Sequence, residues 1–323
     1  MDRPTVLVTA QHLAPEAQQI LQEAGARIEF MADPINEATL IERLSKGDVA
    51  ATVVRGSKPF TAQVIGAARG LKIIAKNGAG FDSVDLQEAA RRGITVAVAA
   101  GANADAVAEH AIALMLALVR GLAALDRKVR QGGWEGSGYQ GRDFRGSSVG
   151  IVGYGSIGRS TARLAAALGA KVVVFDGFRK AADEFELEAD FDKLLQRVDI
   201  VSLHCPLTDE TRGLLGKREF ALLKPGALVI NTARGPIVNE AELIEALRSG
   251  HLGGAGLDTF EAEPLAADSP LLGIDNVILT PHVAGVTRNA ATQVACTTAR
   301  NVVDALAGRP LQPGNVVSIS PRA

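Results

Sequence analysis

The sequence has few of the residues that mark several common protein classes. Only 2 of its 323 residues are cysteine (Cys205 and Cys296), too few for a disulfide framework or a cysteine-ligated zinc site. Lysine and arginine (34) nearly balance aspartate and glutamate (36), so no basic surface is expected for nucleic acid or anionic lipid. The longest apolar run, Ala111 to Val119, is too short to span a bilayer. Met1–Pro4 and the short apolar run that follows do not resemble a signal peptide, so we expect a cytoplasmic protein.

What the sequence does contain is glycine, 34 residues in all, and short β-branched runs that alternate with amphipathic stretches. Runs such as Thr5–Thr9 and Ala51–Val54 predict strands, and segments such as Asn36–Lys46 predict helices between them. This alternation predicts an α/β fold with a parallel sheet and helices on both faces. A second array of the same kind runs from Ser148 to Leu279, so we expect two domains.

Two longer apolar-periodic stretches accompany these arrays. Asn103 to Val129 predicts a long helix, and the glycine cluster Gln131–Gly138 after it predicts a loop. Val286 to Ala307 predicts a second helix. We expect the apolar stretch Ala111–Val119 of the first helix to form the contacts of a homodimer.

A glycine fingerprint, Gly153-Tyr154-Gly155-Ser156-Ile157-Gly158, follows a predicted buried strand and opens a helix. Gly153 permits a tight turn, Gly155 lets the backbone approach a pyrophosphate, and Gly158 allows close helix–strand packing. The helix N-terminus offers N–H groups to the phosphates. Asp176, 18 residues after Gly158 (176 − 158), ends the next predicted strand, where a carboxylate can bind the adenosine ribose. The pattern predicts a dinucleotide site that favours NAD over NADP. A glycine loop that only packs is the alternative.

Three charged residues further along, Arg234, Glu263 and His282, each follow a predicted strand. They can converge, because ligands of open α/β sheets bind at the carboxyl ends of the strands. An arginine can hold a carboxylate through two parallel hydrogen bonds. A histidine can donate a proton to a developing alkoxide while a neighbouring carboxylate orients it. The set predicts reversible hydride transfer between a nicotinamide and a 2-keto or 2-hydroxy acid. Taken singly, the three could be a surface ion pair, a solvated acid and a structural histidine.

The remaining histidines are expected to take no part in chemistry. His12 and His251 fall in predicted loops, and His110 lies within a predicted helix. His204 follows a predicted strand, where we expect it to line the nucleotide site. No pair of histidines has the spacing of a metal site, so no metal is predicted.

The fingerprint at Gly153 and the segments Asn231–Gly235, Asp258–Pro264 and Pro281–Gly285 carry a resemblance to a known family. Through them the sequence is similar, over nearly its whole length, to the D-isomer-specific 2-hydroxyacid dehydrogenases. The resemblance implies a Rossmann NAD-binding domain, residues 101–287, inserted into a flavodoxin-like substrate domain. That second domain would comprise residues 1–100 and 288–323, with the two long helices as crossovers.

The resemblance also implies a role for each matching residue. Arg234 would bind the substrate carboxylate, His282 would be the acid/base, and Glu263 would be its partner. Contacts to NAD would come from Gly153, Gly155, Ser156, Ile157, Gly158, Asp176, Cys205, Thr232, Ala233, Arg234, Asp258, His282 and Gly285.

The segment Lys76–Asp85 resembles the family's substrate loop, which usually begins with arginine and has asparagine before Val-Asp. Here Lys76 and Ser83 stand at those two positions, and Asn77 also departs from the family's pattern. A simple turn built on the glycine pair is the alternative. We expect Arg55 to reach the substrate when the domains close. The implied substrate-binding residues are Arg55, Asn77, Gly78, Ala79, Gly80, Arg234 and His282.

Within the family, the residues favour reduction of a small 2-keto acid, as in glyoxylate/hydroxypyruvate reductases. Formate dehydrogenases carry glutamine where this chain has Glu263. Phosphoglycerate dehydrogenases often carry a basic residue after the loop tryptophan, whereas Glu135 follows Trp134 here. D-3-phosphoglycerate dehydrogenase stays open as an alternative, because Arg55 and Lys76 are basic.

An alternative from another class is an NAD-sensing scaffold similar to the C-terminal binding protein corepressors. The partners expected are a small 2-keto or 2-hydroxy acid and a second copy of the chain, with no nucleic acid and no membrane. Because the sequence ends soon after Leu311, we expect no additional regulatory domain.

Overall fold

The computed structural model of the chain describes residues 3–179, 182 and 184–317. They fold into two compact units, the first formed within 1–103 and 287–323 and the second by 104–286. The outer ends of the predicted substrate domain, residues 1, 2 and 318–323, lie outside the described residues. Every described strand pairing in both units is parallel, which confirms the predicted fold class.

The first unit alternates strands and helices from its start. Its strands are β1 (Thr5–Val8), β2 (Arg27–Phe30), β3 (Val49–Val54), β4 (Ile73–Lys76) and β5 (Thr95–Ala97), and its first helices are α1 (Pro15–Glu23), α2 (Glu37–Leu44), α3 (Ala62–Ala67) and α4 (Leu86–Arg91). The described strands form a five-stranded sheet in the order β2-β1-β3-β4-β5, which is the flavodoxin-like order. Strands β1 and β4 are buried at every position because both faces of the sheet are covered.

The second unit repeats this alternation around a larger sheet. Its helices are α5 (Ala104–Val119), α6 (Leu122–Arg130), α7 (Ser156–Ala167), α8 (Phe191–Arg197), α9 (Lys217–Leu222) and α10 (Glu240–Arg248), and its strands are β6 (Ser148–Val152), β7 (Lys171–Phe175), β8 (Glu186–Leu187), β9 (Ile200–Leu203), β10 (Ala227–Asn231), β11 (Leu252–Leu257) and β12 (Val277–Leu279). The described strands form a seven-stranded sheet in the order β12-β11-β10-β9-β6-β7-β8. The strand order reverses between β6 and β9, so the carboxyl ends of these strands border the crevice in which such sheets bind ligands.

The stretch predicted as one long helix is broken in two. Gly121 adopts φ +59° between α5 and α6, and the two helices are bent by 62°. Residues of α5 such as Ala111 and Met115 are fully buried in the core of the second unit, so these side chains are not available for the expected dimer contact. Because Ala113 is exposed, the contact through the rest of Ala111–Val119 stays a prediction. Among the described residues, no single helix is long and apolar enough to cross a membrane, and only this bent pair passes on length and composition.

Helix α11 (Arg288–Leu306) returns the chain to the first unit. Ala299 and Val302 on this helix are buried in the same core as strand β1. The Asn301 side chain donates to the carbonyl oxygen of Val98 at 2.9 Å and accepts from the Asn315 side chain at 2.9 Å. The buried side-chain amide of Asn301 therefore has hydrogen-bond partners both in the segment after β5 and near the end of the described residues.

Candidate active site

The glycine fingerprint forms the turn between β6 and α7. Gly153 adopts φ +93°, and a Cβ there would lie 2.6 Å from the backbone nitrogen of Cys205. A Cβ at Gly158 would lie 2.0 Å from the carbonyl oxygen of Gly153, whereas one at Gly155 has no neighbouring described atom within 4 Å. No described side chain caps the start of α7 at Gly155, so its first N–H groups remain available to an anion.

Asp176 directly follows β7 and turns back towards the glycine loop. Its Oδ2 accepts the backbone N–H of Tyr154 at 2.7 Å, and its Oδ1 accepts that of Phe178 at 3.0 Å. A carboxylate has acceptor sites for about four hydrogens. Acceptor capacity therefore remains for the hydroxyl groups of a ribose beside the loop.

Strand β9 pairs with β6 and ends beside the glycine turn, and His204 and Cys205 follow it. The His204 backbone N–H donates to the carbonyl oxygen of Val152 at 2.7 Å. Burial lowers the pKa of the His204 side chain to about 3, and its Nε2 lies 2.9 Å from Ser202 Oγ. Burial raises the pKa of the Cys205 thiol to about 11. Both side chains are neutral near pH 7 and suit a wall of the nucleotide site.

Arg234 follows β10 in a turn that is closed by the side chain of Asn231. Asn231 is fully buried; its Oδ1 accepts the Ala233 N–H at 3.0 Å, and its Nδ2 donates to the Arg234 carbonyl oxygen at 2.8 Å. A Cβ at Gly235 would lie 1.9 Å from the carbonyl carbon of Phe260, so the two backbones touch there. This role of Asn231 was not predicted from the sequence. An asparagine at a strand end, which can bond the backbone two residues on, was the available signal.

His282 and Glu263 form a hydrogen-bonded side-chain pair at this edge. His282 Nδ1 lies 2.8 Å from Glu263 Oε2, and Glu263 Oε1 accepts the Phe260 N–H at 3.1 Å. The His282 side chain is 45% exposed, and no described residue bonds to its Nε2. The histidine adopts φ +55°, a conformation uncommon outside glycine.

Asp258 stands behind this pair at the end of β11. Its side chain is 1% exposed. Oδ1 accepts the backbone N–H of Val283 at 2.9 Å, and Oδ2 accepts that of Ala284 at 2.8 Å. The His282 N–H donates to the Asp258 carbonyl oxygen at 2.8 Å. Asp258 therefore holds the backbone on both sides of the histidine side chain.

The carboxyl ends of these parallel strands share one edge of the second unit's sheet. The predicted residues of this unit lie on the segments that follow them: Gly153, Gly155, Ser156, Ile157 and Gly158 after β6; Asp176 after β7; Cys205 after β9; Thr232, Ala233 and Arg234 after β10; Asp258 and Glu263 after β11; and His282 and Gly285 after β12.

In the first unit, the loop that resembles the family's substrate loop leaves the end of β4. The Lys76 side chain is 5% exposed, and its Nζ donates to the Gly56 carbonyl oxygen at 2.7 Å and to Ser83 Oγ at 2.9 Å. Two of the three positions that depart from the family pattern, Lys76 and Ser83, are therefore bonded to each other. Their hydrogen bond closes the loop that presents Asn77 to Gly80.

Arg55 follows β3 at the same edge of the first unit's sheet. Its backbone N–H donates to Thr9 Oγ1 at 3.1 Å, and its Nη1 lies 3.0 Å from His12 Nε2. His12, which the sequence analysis set aside, is thus a neighbour of a predicted substrate residue. The side-chain oxygen of Asn77 is buried and has no described partner.

Comparisons with known proteins agree with this geometry. Residues 112–284 match the family model described as the D-isomer specific 2-hydroxyacid dehydrogenase, NAD binding domain. The D-3-phosphoglycerate dehydrogenase of Archaeoglobus fulgidus is 39% identical over 319 residues, 98% of this chain and 60% of that protein. The glyoxylate reductase of Korarchaeum cryptofilum is 35% identical over 310 residues, 93% of this chain and 92% of that protein. A glyoxylate reductase structure from Paecilomyes thermophila, 29% identical, gives a TM-score of 0.87 and covers 98% of each chain.

The chain belongs to the D-isomer-specific 2-hydroxyacid dehydrogenase family. It spans about 60% of the length of the phosphoglycerate dehydrogenase that it matches.

The residues at this edge of the second unit's sheet fit a nicotinamide dinucleotide. The open space at Gly155, the uncapped start of α7 and the acceptor capacity of Asp176 are what a pyrophosphate and a ribose require. Among the described residues, no group of three or more histidine, cysteine, aspartate or glutamate side chains could hold a metal ion.

The second and third glycines of the fingerprint, Gly155 and Gly158, give a matched test of this site. In Gly155→Ala the new methyl group meets no neighbouring protein atom, so the melting temperature should stay near that of the wild type. The methyl group enters the space for the pyrophosphate, and we expect NADH to bind about tenfold more weakly or worse. In Gly158→Ala the methyl group overlaps the Gly153 carbonyl oxygen, so unfolding free energy should fall by about 1–3 kcal/mol or more.

A thermal melt measures the melting temperature, and chemical denaturation measures the free energy of unfolding. NADH fluorescence titration measures the dissociation constant of NADH. If Gly155→Ala bound NADH as tightly as the wild type, the glycine loop would not be the dinucleotide site.

Proposed function

We propose that this 2-hydroxyacid dehydrogenase is an NAD-dependent oxidoreductase that interconverts a small 2-keto acid and the corresponding D-2-hydroxy acid. The observation that carries the proposal is the pair of His282 Nδ1 and Glu263 Oε2 at 2.8 Å, on the same sheet edge as the glycine loop. A carboxylate bound at Nδ1 fixes the tautomer and orientation of the imidazole. It leaves Nε2 as the ring atom that exchanges a proton with the substrate.

The proposed mechanism gives a separate task to each of three side chains of the second unit, Arg234, His282 and Glu263. When bound, the nicotinamide supplies hydride for reduction of the keto carbon and accepts it in the oxidation. Arg234 holds the substrate carboxylate with its planar guanidinium group. His282 Nε2 donates a proton to the keto oxygen as that oxygen gains negative charge, and it takes the proton back in the oxidation. Glu263 accepts the Nδ1 hydrogen bond throughout.

The first unit supplies the other substrate contacts in this proposal and is the substrate domain. The backbone N–H groups of Gly78, Ala79 and Gly80 are donors for an anionic group, and the glycines allow a close approach. The N–H of Asn77, which was also expected to bind the substrate, instead donates to the Val54 carbonyl oxygen at 2.8 Å. The guanidinium group of Arg55 adds a positive charge at the same edge of that sheet.

One relative that the chain covers almost entirely is a glyoxylate reductase, which supports a small unphosphorylated substrate. Phosphoglycerate dehydrogenase activity is the second candidate. It is supported by the 39% identity to such an enzyme and by the imidazole of His12 beside the guanidinium group of Arg55. Together these two groups could bind a phosphate.

A spectrophotometric scan of NADH oxidation tests the proposal. Its substrates are glyoxylate, hydroxypyruvate, pyruvate and 3-phosphohydroxypyruvate. Turnover confined to the unphosphorylated acids supports the first reading, and preference for the phosphorylated acid supports the second. Trace turnover with all four would contradict both and favour the NAD-sensing scaffold.

Replacement of the proposed acid/base should remove most of the turnover. In His282→Ala we expect kcat to fall by about 10²–10⁴, the usual contribution of a general acid. NADH binding should be largely retained, because the glycine loop is untouched. His251→Ala is the matched control, since His251 Nε2 bonds the Phe220 carbonyl oxygen away from the proposed site. Near-normal turnover in His282→Ala would remove this residue from the mechanism.

Asp176 should determine the choice between NAD and NADP. Because its charge repels a 2′-phosphate, we expect Asp176→Ala to lower the ratio of kcat/KM for NADH to that for NADPH by about tenfold. The substitution also removes the acceptor for the Tyr154 N–H, which affects both cofactors alike, so the ratio isolates the effect of the charge. Asp176→Asn, which keeps one acceptor oxygen, is the companion variant. An unchanged ratio in both variants would contradict the ribose assignment.

We further propose that the enzyme is a cytoplasmic homodimer. No residue of α6 is buried, and Leu122, Val129 and Trp134 on and after it are 54%, 53% and 82% exposed. A second copy of the chain that covers these side chains would remove a row of apolar surface from water. The unpaired thiols of Cys205 and Cys296 suit a reducing compartment.

Sedimentation velocity tests the dimer. The wild type should sediment as a dimer, and Val129→Glu should shift it towards the monomer because a charge would be buried at the contact. A monomeric wild type, or a dimer unaffected by Val129→Glu, would contradict this surface.

A further inference from the structure

Thr280, directly after β12, connects the buried Asp258 to a histidine on α5. Thr280 Oγ1 donates to Asp258 Oδ1 at 2.6 Å. His110 Nε2 lies 3.0 Å from the same Thr280 oxygen and 3.7 Å from Asp258 Oδ1. All three residues belong to the second unit, and neither the mechanism above nor the sequence analysis gives His110 a task.

The direction of these hydrogen bonds is fixed by the number of hydrogens. A threonine hydroxyl has one hydrogen, and here it is donated to the Asp258 carboxylate. The bond between His110 and Thr280 therefore needs its hydrogen from His110, so His110 Nε2 carries a proton. The donors run in one direction, from His110 to Thr280 to Asp258.

The Asp258 carboxylate also binds the backbone of the segment that carries the acid/base. Its oxygens accept the backbone N–H groups of Val283 and Ala284, the two residues that follow His282. His282 has φ +55°, which a non-glycine residue adopts only when its surroundings enforce it. A rotation of the Asp258 carboxylate would therefore move the histidine backbone and turn the imidazole away from Glu263.

We propose that His110 is a positioning residue for the acid/base. Its Nε2–H group orients Thr280, Thr280 orients the Asp258 carboxylate, and Asp258 holds the turn that aims His282. His110 touches neither substrate nor cofactor in this role. The inference rests on the proposed function for its effect on turnover, but the chain of hydrogen bonds can be tested without turnover.

Paired substitutions separate the donor from the volume of each side chain. His110→Phe and Thr280→Val remove the hydrogen bonds with little change of shape, whereas His110→Gln and Thr280→Ser keep a donor at about the same place. We expect the first pair to lower kcat by about tenfold, the effect of losing a hydrogen bond in a chain that ends on a carboxylate. The conservative pair should stay within about threefold of the wild type.

Two further variants sharpen the result. The double variant His110→Phe/Thr280→Val should lose no more kcat than either single variant. Both substitutions interrupt the same series of hydrogen bonds, so their effects should not add. His251→Phe is the matched control: it removes a histidine bonded to the Phe220 carbonyl oxygen and should lower the melting temperature with kcat unchanged.

Hydrogen–deuterium exchange followed by NMR gives a readout that does not depend on activity. The amides of Val283 and Ala284 should exchange faster in His110→Phe and Thr280→Val than in the wild type, and the conservative pair should restore their protection. Unchanged exchange would overturn the proposal, as would a loss of kcat in His110→Gln equal to that in His110→Phe. If the wild type reduces no 2-keto acid, the proposed function fails, and the exchange rates still decide the role of His110.

Discussion

The buried carboxylate of Asp258 is the group around which the active-site edge is arranged. A charge that is 1% exposed is tolerated only when donors replace its water. Among the described residues, Thr280 and the backbone N–H groups of Val283 and Ala284 do so. These donors lie on the segment that leaves β12, so satisfying the charge also fixes the path of that segment. The positive φ of His282 lies on this path, and the hydrogen bonds to Asp258 offset its strain.

Close approach of two backbones is the second constraint. Gly235 and Phe260 are so near that a Cβ at position 235 would overlap the carbonyl carbon of residue 260. The turn that carries Arg234 is thereby set against the loop that carries Glu263, and the Phe260 N–H donates to that carboxylate. The placement of the proposed carboxylate anchor is thus coupled to the placement of the acid/base partner. Side-chain contacts alone would leave this distance free to vary.

The parts of the fold that could be predicted from the sequence are those written in local patterns. Strand alternation and the spacing from Gly153 to Gly158 are such patterns, and both gave correct elements. The break at Gly121 could not be predicted, because a single glycine is tolerated in a helical pattern and gives no sign of a bend. The bond between His110 and Thr280 joins residues 170 positions apart, and the bond between Lys76 and Ser83 depends on side-chain conformation. Neither leaves a periodic trace in the sequence.

The two histidines at the edge of the second sheet show how environment assigns chemistry. His204 has no carboxylate partner among the described residues, and desolvation lowers its pKa to about 3, so the ring is neutral near pH 7. His282 has the opposite setting, with Nδ1 bound to Glu263 and its side chain 45% exposed. Only this second ring is oriented by an acceptor on one nitrogen and accessible at the other. The sequence places both residues after strands, so what separates them is the carboxylate of Glu263 that lies 2.8 Å from the His282 ring.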